Sequence, residues 1–397
     1  MRVLMISHTC QSSTEGQPKA VHLGRRGDID LTVLSPTRWK HYGRWRDAEP
    51  APPDAPFRQE LQPVRWPWIG PAQFYLHHYP ALGKLLTDLQ PDVIDLWEEP
   101  WALVSAQAAW LRRRLVPHAK LISETEQNLD KKLPFPFERM RRYTLGQADF
   151  LIGRSREAVE IAKRKGYDGP SAALPNAVDE ALFRPMDRAA CREELGLVRF
   201  TVGYVGRLVP EKGLSDLIDA VAQAGPDIGA LVVGRGPMHD ELHRRVAEQG
   251  LAGRVRLIDH LPLDGLPTVM NAIDALALPS RTTARWKEQF GRVVVEAQAC
   301  RTPVIGSDSG AILEVVGDGG VVVPERDPAT LAKAIRHLAD DPALTRRLGQ
   351  LGFEQVHARY TWRRLADRMA AIYHDVTRRE PTDHADGWSP AVASRPA

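Results

Sequence analysis

Along most of the chain, short apolar runs alternate with longer segments whose apolar positions recur every three or four residues. That alternation predicts βαβ units and parallel sheets. In the first half the strand-like runs are Arg2 to Ser7, Leu31 to Ser35, Val93 to Leu96, Lys120 to Ser123 and Phe150 to Gly153. Helical spacing covers Pro80 to Leu89, Ala102 to Leu115, Glu138 to Gln147 and Ser155 to Lys165. The stretch from Trp39 to Ala72 is rich in Pro, Trp and Arg and keeps no clean period, so it reads as an irregular excursion.

After the strand-like Ala172 to Leu174, the break Pro175-Asn176-Ala177-Val178-Asp179 opens a second series. Its predicted strands are Phe200 to Tyr204, Ala230 to Val233, Val255 to Leu257, Ala275 to Leu278, Pro303 to Ile305 and Gly320 to Val323. Helices are predicted over Leu214 to Ala222, Met238 to Gln249, Leu266 to Ala272, Phe290 to Cys300, Ile312 to Val316, Pro328 to Leu338 and Pro342 to Arg359. Trp362 to Thr377 reads as a long amphipathic helix, and 379–397 as a disordered tail. The expected architecture is α/β, with one open sheet in residues 1–174 and another in 175–361. Ligands of such sheets sit at the carboxyl ends of the strands, which makes a cleft between the two the natural place for a substrate.

A chain of 397 residues is longer than one core usually supports, in agreement with two domains. Its 53 basic residues nearly balance 50 acidic ones, which is not the footprint of a dedicated nucleic-acid binder. Cys10, Cys191 and Cys300 lie far apart with no CxxC spacing, so neither a disulfide framework nor a zinc site is implied and a reducing compartment fits. The apolar run at Val3 to Ile6 is too short for a secretory signal, and nothing approaches the roughly 20 apolar residues of a membrane span. The expectation is a cytoplasmic protein, free or at the cytoplasmic face of a membrane. A cluster of Trp66, Trp68, Phe74, Tyr75 and Tyr79 with Arg65, His77 and His78 suits a sugar platform, a membrane-facing rim or plain loop packing.

Two segments carry candidate chemistry. In Gly203-Tyr204-Val205-Gly206-Arg207-Leu208-Val209-Pro210-Glu211-Lys212-Gly213 a strand ends in a Gly-bearing turn, two cations stand five apart, and a helix starts near Leu214. A helix N-terminus offers free N–H groups, and Arg207 with Lys212 would add charge suited to a diphosphate. The alternative is a strand-turn-helix with two solvated cations. In the second segment Glu288 and Glu296 are separated by seven residues, with Gln289-Phe290-Gly291 at an expected helix start. Glu296 falls in an apolar run, where a carboxylate needs partners such as the two hydroxyls of a ribose. The alternative is a cap and a helix-face glutamate.

These segments resemble the family 4 retaining glycosyltransferases of the GT-B fold. So do Leu231-Val232-Val233-Gly234-Arg235-Gly236-Pro237, Pro279-Ser280-Arg281, Thr302-Pro303-Val304-Ile305, Ser309-Gly310 and Gly317-Asp318-Gly319-Gly320. The resemblance covers residues 172–365, with a weaker match around Leu174 to Asp179 and at Tyr360-x-Trp362. It implies two Rossmann-like domains facing across a cleft and a C-terminal helix, about 362–378, that crosses back to the first domain. It implies transfer of a hexose from a UDP- or GDP-sugar, with retention, to a glycan, lipid-linked or small-molecule acceptor in polysaccharide-type biosynthesis. By the same resemblance Arg207, Lys212 and Glu288 act at the diphosphate and the transferred sugar. Gly206, Gly234, Gly236, Pro237, Leu261, Gln289, Phe290, Gly291 and Glu296 hold the rest of the donor.

The first half departs from the family's pattern. Where a Gly-Gly loop is usual after the first strand, only Gly16 can serve, and the usual His after the strand at Lys120 is absent. Glu126 is the candidate to replace it. Glu98 and Glu99, at another strand end, would bind the acceptor or take its proton, the alternative being an exposed acidic loop. His8, also at a strand end, reads as structural. Asp308-Ser309 makes no convincing metal site, so neither a metal nor a cofactor is expected, the cations and helix ends neutralising the diphosphate. With no carboxylate identified as a covalent nucleophile, a front-face route is preferred, in which the leaving phosphate takes the acceptor proton. The rival readings are a nucleotide-sugar epimerase and a catalytically inactive nucleotide-sugar-binding protein of the same fold.

Overall fold

The computed structural model describes residues 1–41, 44–65 and 73–378; the expected tail at 379–397 lies outside them. Contacts group the chain into two units, Met1–Pro175 with the chain from Leu365 onward, and Asn176–Arg364.

The first unit is built on β1 (Arg2–Ile6), β2 (Asp30–Pro36), a hairpin of β3 (Arg38–His41) and β4 (Arg44–Asp47), then β5 (Arg58–Gln62), β6 (Val93–Leu96), β7 (Lys120–Thr125), β8 (Phe150–Gly153) and β9 (Ser171–Ala173). Seven of these form one parallel sheet in the order β5-β2-β1-β6-β7-β8-β9. β1 and β6 are buried on both faces, as strands covered by helices on either side must be. Of the stretch expected to be irregular from Trp39 to Ala72, residues 42–43 and 66–72 lie outside the described residues, and the described part contains regular structure. It holds most of the antiparallel hairpin, with Arg38 opposite Asp47, and a sheet strand, β5, parallel to β2. β5 reads Arg-Gln-Glu-Leu-Gln and lies at the sheet edge, where only one side needs a partner strand, so apolar content gives no signal. The helix Gln17–Gly24 also escapes the periodicity, because its buried positions include Gln17 and Lys19.

The helix Trp362–Arg378 places Leu365, Met369, Ile372, Tyr373 and Val376 among the buried residues. Each such side chain contributes roughly 1.5–3 kcal/mol. The Tyr373 hydroxyl donates to Asp95 Oδ2 in β6 at 2.7 Å, and Arg26 Nη1 to Asp367 Oδ1 at 2.6 Å. The last helix is thus part of the first unit's core.

The second unit contains β10 (Phe200–Val205), β11 (Ile228–Val233), β12 (Val255–Ile258), β13 (Ala275–Leu278), β14 (Val304–Ser307) and β15 (Gly320–Val323). They form a parallel sheet in the order β12-β11-β10-β13-β14-β15. The two chain passages that bound this unit lie side by side, with Val178 N–H donating to Tyr360 O at 2.8 Å. Both sheets have the 3-2-1-4-5-6 order of Rossmann-like folds, the first with one strand more. The order reverses between β1 and β6 in one unit and between β10 and β13 in the other. Loops leaving two neighbouring strands in opposite directions open a crevice there, which is where ligands of such sheets bind.

Candidate active site

In the second unit the chain leaves β10 at Gly206-Arg207 and β13 at Pro279-Ser280-Arg281. The turns after β10 and β11 meet backbone to backbone: a β-carbon on Gly234 would lie 1.8 Å from Gly206 O, and one on Gly236 would lie 2.2 Å from Leu208 O. Only glycine permits this approach. Pro237 is exposed just beyond, and Leu261 is half-buried against the core. Arg207 is exposed, while its carbonyl accepts from the buried Tyr204 hydroxyl at 2.7 Å.

Lys212 ends the short turn Pro210–Lys212, and Gly213 follows with φ 67°, a left-handed start to the helix Leu214–Ala224. The Lys212 ammonium bonds Glu288 Oε2 at 2.5 Å and lies 4.9 Å from the Trp286 ring centre. Ser280 Oγ donates to the same carboxylate oxygen at 3.0 Å, and Glu288 O accepts from Ala311 N–H at 3.1 Å. Gln289 is exposed, and the Phe290 ring is buried against Tyr360 at 5.9 Å, so only the Phe290 backbone is open to a ligand role. Gly291, at φ 78°, starts the helix Arg292–Ala299. Neither glycine-led helix has a side-chain cap, whereas Ser155, Asp187, Asp327 and Asp341 cap four others. Free N–H groups and the positive dipole end therefore remain at both.

Glu296 is buried inside the second of these helices and makes no hydrogen bond among the described residues. Burial pushes its carboxyl up to about 6, against the nearby Arg292 charge. The structure thus brings Lys212, Glu288 and Ser280 into direct contact, while Glu296 bonds none of them.

In the first unit His8 follows β1 and Glu98 follows β6, on the two sides of the switch point. His8 Nδ1 lies 2.8 Å from both Glu98 oxygens, and the His8 backbone N–H donates to Glu98 Oε1 at 2.6 Å. Burial opposes ionisation of Glu98, yet the His8 and His77 charges and hydrogen bonds hold its carboxyl well below the usual range. Burial lowers His8 as well, but Glu98 more than offsets it and the imidazole is raised. Glu99 accepts from Thr125 Oγ1 and from Glu126 N–H, both at 2.7 Å, and burial pushes it up to about 7. The exposed acidic loop is therefore excluded. Glu126 is occupied by Arg154 Nε at 3.0 Å.

Gly16 precedes the helix Gln17–Gly24, and a β-carbon there would sit 2.4 Å from the Thr9 carbonyl carbon, so this single glycine makes the close turn. Beneath it Lys19, wholly buried, pairs with Glu124, which also accepts from Arg154 Nη2 at 2.5 Å. Of the aromatic cluster, Trp66 and Trp68 lie outside the described residues. Tyr79 is core, Tyr75 packs on Trp101 at 4.3 Å, and Phe74 sets its edge against His8.

His8, His77 and Glu98 also bring three potential metal-ligand atoms within 4.8 Å. The 2.8 Å separation from ring nitrogen to carboxylate is that of a charge-assisted hydrogen bond. Two ligands of one tetrahedral zinc, with bonds of roughly 2.0–2.1 Å, keep farther apart. Sequence reasoning passed over this pair, although each partner ends a predicted strand. It also gave Ser280 no role of its own.

No helix among the described residues is long and apolar enough to cross a membrane. The family model of glycosyl transferases group 1 matches residues 190–355. The D-inositol 3-phosphate glycosyltransferase of Stackebrandtia nassauensis is 30% identical over 305 residues, 70% of this chain and 67% of that protein. Its counterpart in Corynebacterium efficiens is 32% identical over 319 residues, 73% and 72%. Among solved structures, Anabaena HepE in complex with UDP superposes with a TM-score of 0.73 at 21% identity, covering 94% of this chain and all of that one, and so shares its fold. With two Rossmann-like units of the GT-B type and this sequence similarity on both sides of the unit boundary, the chain belongs to the glycosyl transferases group 1 and is a glycosyltransferase.

Proposed function

We propose that the second unit holds the diphosphate and ribose of a UDP- or GDP-sugar and that the first unit holds the acceptor. The observation that carries this reading is the second unit's switch point. There Lys212, bound to Glu288, stands with two uncapped helix starts beside turns pressed too close for any β-carbon. Breaking the anomeric bond puts oxocarbenium character on the sugar and negative charge on the leaving phosphate. Fixed cations and N–H groups placed where that charge develops act without reorganisation. Arg207, exposed above the turn, and Lys212 supply the charge in place of a metal. The bound sugar's hydroxyls engage Glu288, and Glu296, buried without a hydrogen bond, meets the ribose hydroxyls. The family implies retention, with the leaving phosphate as proton acceptor.

The acceptor is a hydroxyl of a sugar or cyclitol, free or lipid-linked. The two D-inositol 3-phosphate glycosyltransferases described above support this class. A lipid-linked acceptor would bring the chain to the cytoplasmic membrane face. Thermal unfolding against UDP, GDP, ADP and their sugar conjugates tests the donor assignment. A ligand that binds only the folded chain adds about 2.7 kcal/mol at 100 times its Kd. A raised midpoint with UDP or GDP supports the reading, and no shift with any nucleotide removes it.

A further inference from the structure

The switch point of the first unit carries a built site of its own. β1 and β6 pair through Ile6 and Leu96, then part, and the first side chains to meet again across the gap are His8 and Glu98. A carboxylate can only accept at neutral pH, so His8 Nδ1 carries the proton between them. A second imidazole backs the carboxylate. His77 is wholly buried, its Nδ1 donates to the Gln73 carbonyl at 2.9 Å, and its Nε2 lies 3.6 Å from Glu98 Oε2.

The rest of the His8 ring is fixed by packing. One face stacks on Trp39 at 4.7 Å and 28°, and Phe74 sits edge-on at 5.6 Å. Its polar contacts are all at Nδ1 and the backbone N–H, so Nε2 has no partner among the described residues. The side chain remains 24% exposed. Phe74 is itself 38% exposed, which leaves aromatic surface open beside the His8 ring. A polar tip next to an aromatic face suits the hydroxyls and C–H face of a carbohydrate ring.

We propose that His8 Nε2 is a hydroxyl-binding point of the acceptor site, and that Glu98 is the positioning residue that holds the ring in the tautomer exposing it. The proposal rests on the transferase reading above. With Nδ1–H held by Glu98, Nε2 meets an O–H of the sugar or cyclitol, as acceptor in the neutral ring and as donor in the imidazolium that Glu98 favours, and no covalent bond changes. The charged groups facing the ring are Glu98, Glu126 and Glu15, with His77 behind Glu98.

The test is a ring ¹⁵N spectrum of the full chain, titrated with myo-inositol as a hydroxyl probe. His8→Gln assigns the signal, and His8→Asn does so should that variant not fold. The expected result, recorded at a pH high enough to remove the second ring proton, is a His8 protonated at Nδ1, with an Nε2 signal that moves saturably while the His77 signals stay. Glu98→Gln should mix the tautomers and weaken probe binding about tenfold, the loss of one hydrogen bond to a charged group. A His8 protonated at Nε2 instead, an unmoved His8 signal, or one equivalent of zinc bound by the purified chain overturns the proposal. UDP and GDP shifts measured on the same samples separate the two readings. If neither nucleotide binds, the donor assignment fails; if they bind and inositol moves nothing, only the His8 proposal fails.

Discussion

The two units reverse strand order in the same way and fill the resulting crevice with different materials. Around β10 and β11 the wall is backbone: Gly234 lies against Gly206, and Gly236 against Leu208. Around β1 and β6 the wall is side chain. One glycine, Gly16, makes the close turn, and His8, Glu98, Trp39 and Phe74 occupy the rest. Backbone N–H groups and helix ends recognise a phosphate whatever it is attached to. Side chains recognise a particular arrangement of hydroxyls. The difference therefore matches the proposed division, a common donor end in one unit and a particular acceptor in the other.

The sharpest way to break this comparison is to remove the charge from the second switch point. Arg207→Ala and Lys212→Ala should each lower turnover at saturating donor by about 10²–10³-fold, the range for losing one charge-stabilising donor, with the fold intact by circular dichroism. Wild-type turnover in both variants would end the diphosphate role.

A smaller effect concerns the buried carboxyl of the second unit. Glu296 titrates near 6 in the folded chain and near 4.3 unfolded, so the fold disfavours its ionised form. The cost is absent below the unfolded value, grows as pH rises, and is complete above the folded one. Glu296→Met should therefore stabilise by about 2 kcal/mol at pH 8 and by much less at pH 4.5, measured by urea unfolding. The same variant should bind UDP or GDP at least about tenfold more weakly. Stability and affinity falling together would mean that Glu296 is structural.

The remaining effect lies in the first unit. Glu99, raised to about 7, also lowers stability as pH climbs from its unfolded value through neutrality. That value already includes the hydrogen bonds from Thr125 and Glu126, which hold it below what burial alone would give. Glu99→Gln should flatten the decline between pH 5 and pH 8 and leave stability at pH 4 nearly unchanged. An unchanged slope would place the responsible carboxyl elsewhere.

Legibility in the sequence followed the same divide. The helix start after Gly213 was read at Leu214 as observed, and the one after Gly291 was read two residues early, at Phe290 instead of Arg292; the left-handed backbone at both glycines came only with the structure. Arg207, Lys212 and Glu288 stood in the same short segments. The first unit's partners could not be read this way. His8 meets Glu98 across 90 residues and Tyr373 meets Asp95 across 278, and neither spacing leaves a periodic trace. β5 was missed because an edge strand is held by backbone bonds to one neighbour and tolerates a polar face.

Apolar periodicity and turn chemistry alone determined that this chain makes two parallel α/β sheets, because the period of burial is set within each element. They also located the two helix starts of the second unit's switch point to within two residues. Tertiary structure decided which carboxylates became ion pairs and which stayed unpaired. Lys212 met Glu288, His8 met Glu98, and the Glu296 carboxylate was left without a hydrogen bond among the described residues. The reason is physical: a charge takes its partner from whatever the strand order places across the gap, and the strand order is a property of the assembled sheet.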